Sequence, residues 1–242
     1  MLILGLNKTT LLDYPGRVAA TIFTGGCNFR CPFCHNAGLV LAPSTEQAIS
    51  KQEIFSFLRK RKNILQGVCI TGGEPTLQPD LKEFIQEIKA LGYLVKLDTN
   101  GYEPEKLKAL LELGLLDYVA MDIKNSPQKY EAAVGQKDVE ISRINTSIEL
   151  LRVSGIDHEF RTTVVKELHS REDILAIAEW IAGCPHYYLQ RYQENEGVIR
   201  NVLEDDAAEH FHAWSAEEMK ELAKLAGTVP GMTGEVKVRG ID

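Results

Sequence analysis

Cys27, Cys31 and Cys34 fall inside one Gly-rich stretch, Thr24-Gly-Gly-Cys-Asn-Phe-Arg-Cys-Pro-Phe-Cys-His-Asn36, separated by gaps of three and two residues. Thiolates this close on a loop can turn toward one soft metal centre without help from distant chain. A closed structural zinc site takes four protein ligands, whereas three leave a coordination position open to a further molecule. The fold must therefore present this loop with one side accessible.

The composition allows that. The chain has 242 residues, 44% of them hydrophobic and 25% charged, with few aromatics, as in a globular enzyme able to bury a sizeable core. The expectation is a single domain over 1–242, with a core of about 17–192 and a C-terminal extension, 193–242. A net charge of -7 disfavours a nucleic-acid partner. No basic leader precedes an apolar run, and no run approaches the ~20 residues of a membrane span. The expected location is cytoplasmic, without a membrane partner. Five cysteines with three clustered do not read as a disulfide framework. Cys69 and Cys184, in apolar surroundings, read as buried small hydrophobes.

Along the chain, the N-terminal segment ends in Asp13-Tyr14-Pro15-Gly16, which is turn chemistry. A strand over Val18–Thr24 runs into the cysteine loop. Ser50 and Glu53 form a capping box before a helix with Ile54, Phe57 and Leu58 on its apolar face. A buried strand over Val68–Thr71 ends in Gly72-Gly73-Glu74-Pro75. Asp80 with Glu83 caps a helix carrying Leu81, Phe84, Ile85 and Ile88, which Gly92 stops. A strand over Leu94–Asp98 leads to Thr99-Asn100-Gly101. Pro104 opens a helix with Leu107, Leu110 and Leu111 inward, stopped at Gly114. The strand Tyr118–Met121 meets Asp122-Ile123-Lys124. A helix over Ile141–Leu151, a strand over Glu159–Val165, a helix capped by Ser170 and a strand over Tyr187–Tyr192 follow. Glu194–His212 reads as loop or irregular helix. Ser215 with Glu218 starts a last helix, and Glu235–Arg239 can add an edge strand.

Six strands alternating with helices mean a parallel sheet with crossover helices, here an open, partial barrel of α/β class. In such barrels the site gathers at the C-terminal ends of the strands. The cysteine loop, Gly72-Gly73-Glu74, Asp98-Thr99-Asn100, Asp122-Ile123-Lys124 and Arg161 or Gln193 all fall there. Taken singly, Gly-Gly is a turn and Asp-x-Lys a surface pair. Their shared rim makes them one site.

Those residues carry a resemblance. Cys-x3-Cys-x-Phe-Cys after the first strand, with Gly-Gly-Glu after the second, resembles the radical S-adenosylmethionine (SAM) superfamily. The resemblance implies a partial (β/α)6 TIM-like barrel and a [4Fe-4S] cluster on Cys27, Cys31 and Cys34. It implies SAM chelating the open iron through its amino and carboxylate groups. Electron transfer into the sulfonium would then give methionine and a 5′-deoxyadenosyl radical. Phe33 can present its ring to the adenine. Gly72 and Gly73 permit close backbone approach, and Glu74 or main-chain carbonyls can accept from the SAM ammonium. Lys124 and Arg161 can neutralise the methionyl carboxylate. Beyond the cluster and SAM no catalytic side chain is required.

More narrowly, Cys34-His35-Asn36, Asp98-Thr99-Asn100-Gly101 and Asp122-Ile123-Lys124 resemble the glycyl-radical-enzyme activases. In pyruvate formate-lyase activase the residues matching Asp98, Thr99 and Asp122 help hold a monovalent cation near SAM, and the match of Lys124 contacts SAM. Gln193 stands where that activase has a SAM-contacting His. The opening Gly5–Gly16 and the final Val238-Arg239-Gly240 look more like activating proteins of anaerobic ribonucleotide reductase. The partners implied are that glycyl radical enzyme and a flavodoxin or ferredoxin reductant. Two alternatives stand beside this. Thr71-Gly-Gly-Glu-Pro-x-Leu-Gln78 is shared with small-molecule synthases such as 7-carboxy-7-deazaguanine synthase, and the cysteines with His35 can make a Cys3His zinc site.

Overall fold

The computed structural model describes residues 1–41, 43, 48–193, 198–199 and 211–241. Eight strands form one sheet in chain order: β1 (Ile3–Thr10), β2 (Ala19–Thr24), β3 (Gly67–Gly72), β4 (Leu94–Thr99), β5 (Tyr118–Asp122), β6 (Asp157–Val164), β7 (Tyr187–Arg191) and β8 (Val236–Arg239). From β2 to β8 each neighbour pair is parallel, and β1 alone runs antiparallel, against β2. The six expected strands are β2 to β7. The edge strand at the C-terminus is present as β8, beside β7.

Helices fill each crossover, as parallel pairing requires. They are α1 (Ala37–Val40), α2 (Lys51–Arg61), α3 (Leu81–Ala90), α4 (Pro104–Glu112), α5 (Tyr130–Val134), α6 (Ile141–Ser154), α7 (Arg171–Trp180) and α8 (Ala216–Ala226). Ser50, Ser170 and Ser215 each complete a capping box, with Glu53, Asp173 and Glu218. The apolar faces of α2, α3, α4, α6 and α7 bury against the outer face of the sheet, where Val95, Leu97, Val119 and Phe160 are fully covered. No helix among the described residues is long and apolar enough to cross a membrane.

Four local expectations are corrected. The N-terminal segment is a strand, β1, because its backbone finds the free edge of β2; exposed Asn7, Lys8 and Thr9 hide its period. Asp80 does not cap α3. Its carboxylate is held by the N-terminal ammonium at 2.6 Å and by Lys51. On α2 the buried ring is Phe55, packed 5.2 Å from Phe84, while Phe57 is half-buried. Leu111 is likewise only half-buried. Most of Glu194–His212 lies outside the described residues.

The inner face of the barrel is polar. Alternation along β4 turns Val95 and Leu97 outward and Lys96 and Asp98 inward, and the paired inward positions on β6 are Glu159 and Arg161. Glu159 accepts both arms of the Arg239 guanidinium, at 2.8 and 2.9 Å, and the Tyr118 hydroxyl at 2.8 Å. Burial opposes the charge on Glu159, yet Arg239 holds its pKa below the usual carboxylate range. This fork ties the edge strand β8 to β6 across β7.

A lowered folded-state pKa stabilises above the unfolded value and is lost as pH falls through the folded one. Glu159→Gln is therefore expected to cost about 1.5–3 kcal/mol at pH 7. Urea melts of the two proteins should converge as the pH falls below the ordinary carboxylate range and through the lowered folded-state value of Glu159. Equal midpoints at pH 7 would show that the fork does not hold β8.

Candidate functional site

The C-terminal ends of β2 to β6 surround a cavity of about 260 Å³. One wall is the cysteine loop, with Cys27, Cys31 and Cys34 all lining the space. This loop leaves β2 through Gly25 and Gly26, the latter at φ +83°. It is held against the end of β3 at backbone level: Gly73 N–H donates to Thr24 O and Glu74 N–H to Gly26 O, each at 2.8 Å. The approach is so close that a Cβ on Gly73 would stand 1.9 Å from Gly26 O.

Burial pushes the Cys27 thiol up to about 11 and the Cys31 thiol up to about 12. Ligation must therefore expel their protons, and positive charge opposite helps. Lys124 supplies it, acting on both sulfurs. Phe29 N–H donates to Cys27 Sγ at 3.4 Å, and Asn100 Nδ2 lies 3.9 Å from the same sulfur. Among the described residues no three His, Cys, Asp or Glu groups converge on a single metal ion. The His35 ring stacks on Tyr192 at 5.3 Å. Three soft donors on one cavity wall, with N–H groups aimed at one sulfur and a cation facing them, fit a [4Fe-4S] cluster.

The opposite wall is a chain of charges. Lys96 is paired with Asp98 Oδ1, and Asp98 Oδ2 accepts from Arg161 Nη1 at 3.0 Å. Arg161 Nε donates to Asp122 Oδ1 at 2.8 Å, and Lys124 Nζ to Asp122 Oδ2 at 3.0 Å. Burial works against the Asp122 charge, but Arg161 and Lys124 hold its carboxyl down to about 2. Burial likewise opposes the charge on Asp98, which Arg161 and Lys96 hold down. A second cavity, about 430 Å³, shares Asp98, Arg161 and Gln190 with the first and extends to Lys96, Glu159 and Arg239.

Of the residues expected at the site, the three cysteines, Gly72, Gly73, Glu74, Asp98, Thr99, Asn100, Asp122, Lys124 and Arg161 line the first cavity. Phe33, His35 and Gln193 do not. The Phe33 ring is buried edge-on to His169, and exposed Gln193 reaches Gly240 O at 3.4 Å. Glu74 lines the space with its carboxylate already hydrogen-bonded within the protein. Its two oxygens accept from Thr76, from Thr99 Oγ1 at 2.8 Å and from Asn100 N–H at 2.7 Å, and burial raises its pKa. It is a staple between the ends of β3 and β4. Sequence reasoning missed Gln190 and Lys96, whose inward alternation on their strands was the available signal. It also missed Ile199, which packs with Ala37 and Val40 and whose N–H donates to Cys34 O at 3.1 Å. Part of the C-terminal extension thus covers the cysteine loop.

Residues 21–181 match the family model described as the radical SAM superfamily. The protein named "Putative glycyl-radical enzyme activating enzyme" of Methanocaldococcus jannaschii is 33% identical over 93% of this chain and 91% of its own length. A "Probable GTP 3',8-cyclase" of Saccharolobus islandicus is 37% identical over 40% of this chain and 31% of its own. Among solved structures, SuiB of Streptococcus suis bound to S-adenosylmethionine superposes with a TM-score of 0.70 at 15% identity over 90% of this chain. The chain spans about half (49%) of that SuiB chain. A domain of a pyruvate-formate lyase-activating enzyme from Bacteroides vulgatus gives 0.53 at 16% identity, covering 72% of this chain and 99% of that one.

Because the loop contact at Gly73 is backbone to backbone, no side chain can yield to an added methyl. Gly73→Ala is expected to cost about 1–3 kcal/mol or more and to lower iron retained after anaerobic reconstitution. Wild-type iron content and urea midpoint in this variant would refute the close approach.

Proposed function

The chain belongs to the radical SAM superfamily, and we propose that it activates a glycyl radical enzyme by taking a hydrogen atom from one backbone glycine of that partner. What supports the chemistry is the cavity with three cysteines on one wall and a charge chain of net positive sign on the other. What supports the activase reading is the likeness to the M. jannaschii protein over 93% of the chain.

In this reading Cys27, Cys31 and Cys34 would hold the [4Fe-4S] cluster. When bound, cluster and SAM supply a one-electron cleavage of the sulfonium and a carbon-centred oxidant. The protein's tasks are binding, orientation and exclusion of water. Lys124 and Arg161, fixed by Asp122, face the methionyl carboxylate. Main-chain carbonyls of the Gly72-Gly73 segment, or Oε2 of Glu74, would accept from the SAM ammonium. Asn100, held by its bond to Asn28 Oδ1 at 2.8 Å, steadies the sulfur of Cys27. Ile199 and Val40 shield the loop from solvent.

The second cavity opens from the first at Arg161 and has Leu12 on its rim. Leu11 and Leu12 stand 71% and 89% exposed, an apolar pair suited to contact a protein that delivers a loop there. Anaerobic ribonucleotide reductase is the partner we propose, and a flavodoxin or ferredoxin the reductant, on the likeness of the Gly5–Gly16 and Val238-Arg239-Gly240 segments.

The test mixes the reconstituted protein, SAM and reductant with candidate glycyl radical enzymes and follows electron paramagnetic resonance. A glycyl doublet is expected with the correct partner and none with Cys31→Ala. Turnover of a small molecule, with no doublet from any candidate, would contradict the activase reading and favour a synthase.

A further inference from the structure

The carboxylates expected to hold a monovalent cation beside SAM are already paired with cationic side chains. A hard cation is bound by oxygens whose lone pairs are free to face it. Asp98 Oδ1 is taken by Lys96 Nζ and its Oδ2 by Arg161 Nη1 at 3.0 Å. Asp122 Oδ1 is taken by Arg161 Nε at 2.8 Å and its Oδ2 by Lys124 Nζ at 3.0 Å. Thr99 Oγ1 is turned away, donating to Glu74 at 2.8 Å and accepting from Gly101 N–H at 3.1 Å. The Arg161 guanidinium bridges the two carboxylates, in the space an ion shared between them would need.

Lys96 makes this arrangement firm. It is 2% exposed, two residues before Asp98 on the same inward face of β4. Its ammonium lies 3.7 Å from Cys69 Sγ and 6.0 Å from the centre of the Tyr118 ring. Lysines so deep are rarely found without a partner, and here that partner is Asp98. Lys96, Arg161 and Lys124 against Asp98 and Asp122 leave one positive charge. A single carboxylate balances it. An added metal cation would face three like charges at close range.

We infer that Lys96 and Arg161 take the place of the monovalent cation in this chain, so that SAM binding and cleavage proceed without Na⁺ or K⁺. Lys96 is a positioning residue: it fixes Asp98 and, through Asp98, the guanidinium of Arg161. The expected role in SAM binding rests on the radical SAM reading above, whereas the exclusion of the ion concerns the protein alone.

Two measurements separate these. Crystals of the cluster-loaded protein soaked in thallous acetate, a heavy stand-in for K⁺, are expected to show no anomalous peak between Asp98 and Asp122. A peak there, with Arg161 displaced, overturns the inference whether or not the protein cleaves SAM. In solution, the KM for SAM in uncoupled cleavage should agree within about twofold between tetramethylammonium chloride and KCl. Lys96→Met should raise that KM about tenfold in tetramethylammonium, with kcat changing less and K⁺ restoring affinity. Wild-type KM that rises without K⁺, or a Lys96→Met defect that K⁺ leaves untouched, contradicts it. If Lys96→Met does not fold, the wild-type salt comparison and the thallium map decide. A protein that cleaves no SAM in either salt contradicts the functional reading, while the thallium map still tests this one.

Discussion

One guanidinium joins the three strands on which the site depends. Arg161, on β6, reaches Asp122 on β5 and Asp98 on β4, and these carboxylates are in turn met by Lys124 and Lys96. Charges are costly to bury and persist in an interior only when paired and hydrogen-bonded. The pairing therefore sets the mutual position of three strand ends, and with them the wall facing the cysteines. Removal of one member leaves the others buried without compensation, which is why the wall acts as a unit.

The cysteine wall depends on a different constraint, the absence of side chains. Gly73 lets the end of β3 lie on Gly26 of the loop, and Glu74, bonded to Thr76, Thr99 and Asn100, locks β3 to β4 beneath it. The Gly-Gly-Glu motif that lines the cavity thus also serves as architecture. Its glycines bring two loops together, and its carboxylate helps to hold them.

Much of this was legible in the sequence, and the exceptions share a cause. The strands β2 to β7 and the capping boxes at Ser50, Ser170 and Ser215 are local patterns, and local patterns can be read. The strand β1 could not, since its pairing is with an edge and its exposed residues hide the period. Asp80 looked like a cap because its better partner, the chain's own amino terminus, is distant in sequence. Phe33 sits between two cysteines of the loop, and only three-dimensional packing turns its ring toward His169 instead of the cavity. Lys96 and Glu159 read as ordinary strand residues. Their importance lies in Asp98, Arg161 and Arg239, and only the curvature of the open barrel brings these inward positions together.

The central claim is that three thiols and an opposing positive wall form one site for cluster and SAM. It is tested most directly by reconstituting the protein anaerobically to about four irons per chain and adding SAM with dithionite. The account predicts 5′-deoxyadenosine and methionine in equal amounts. A fully loaded cluster that leaves SAM intact would contradict it.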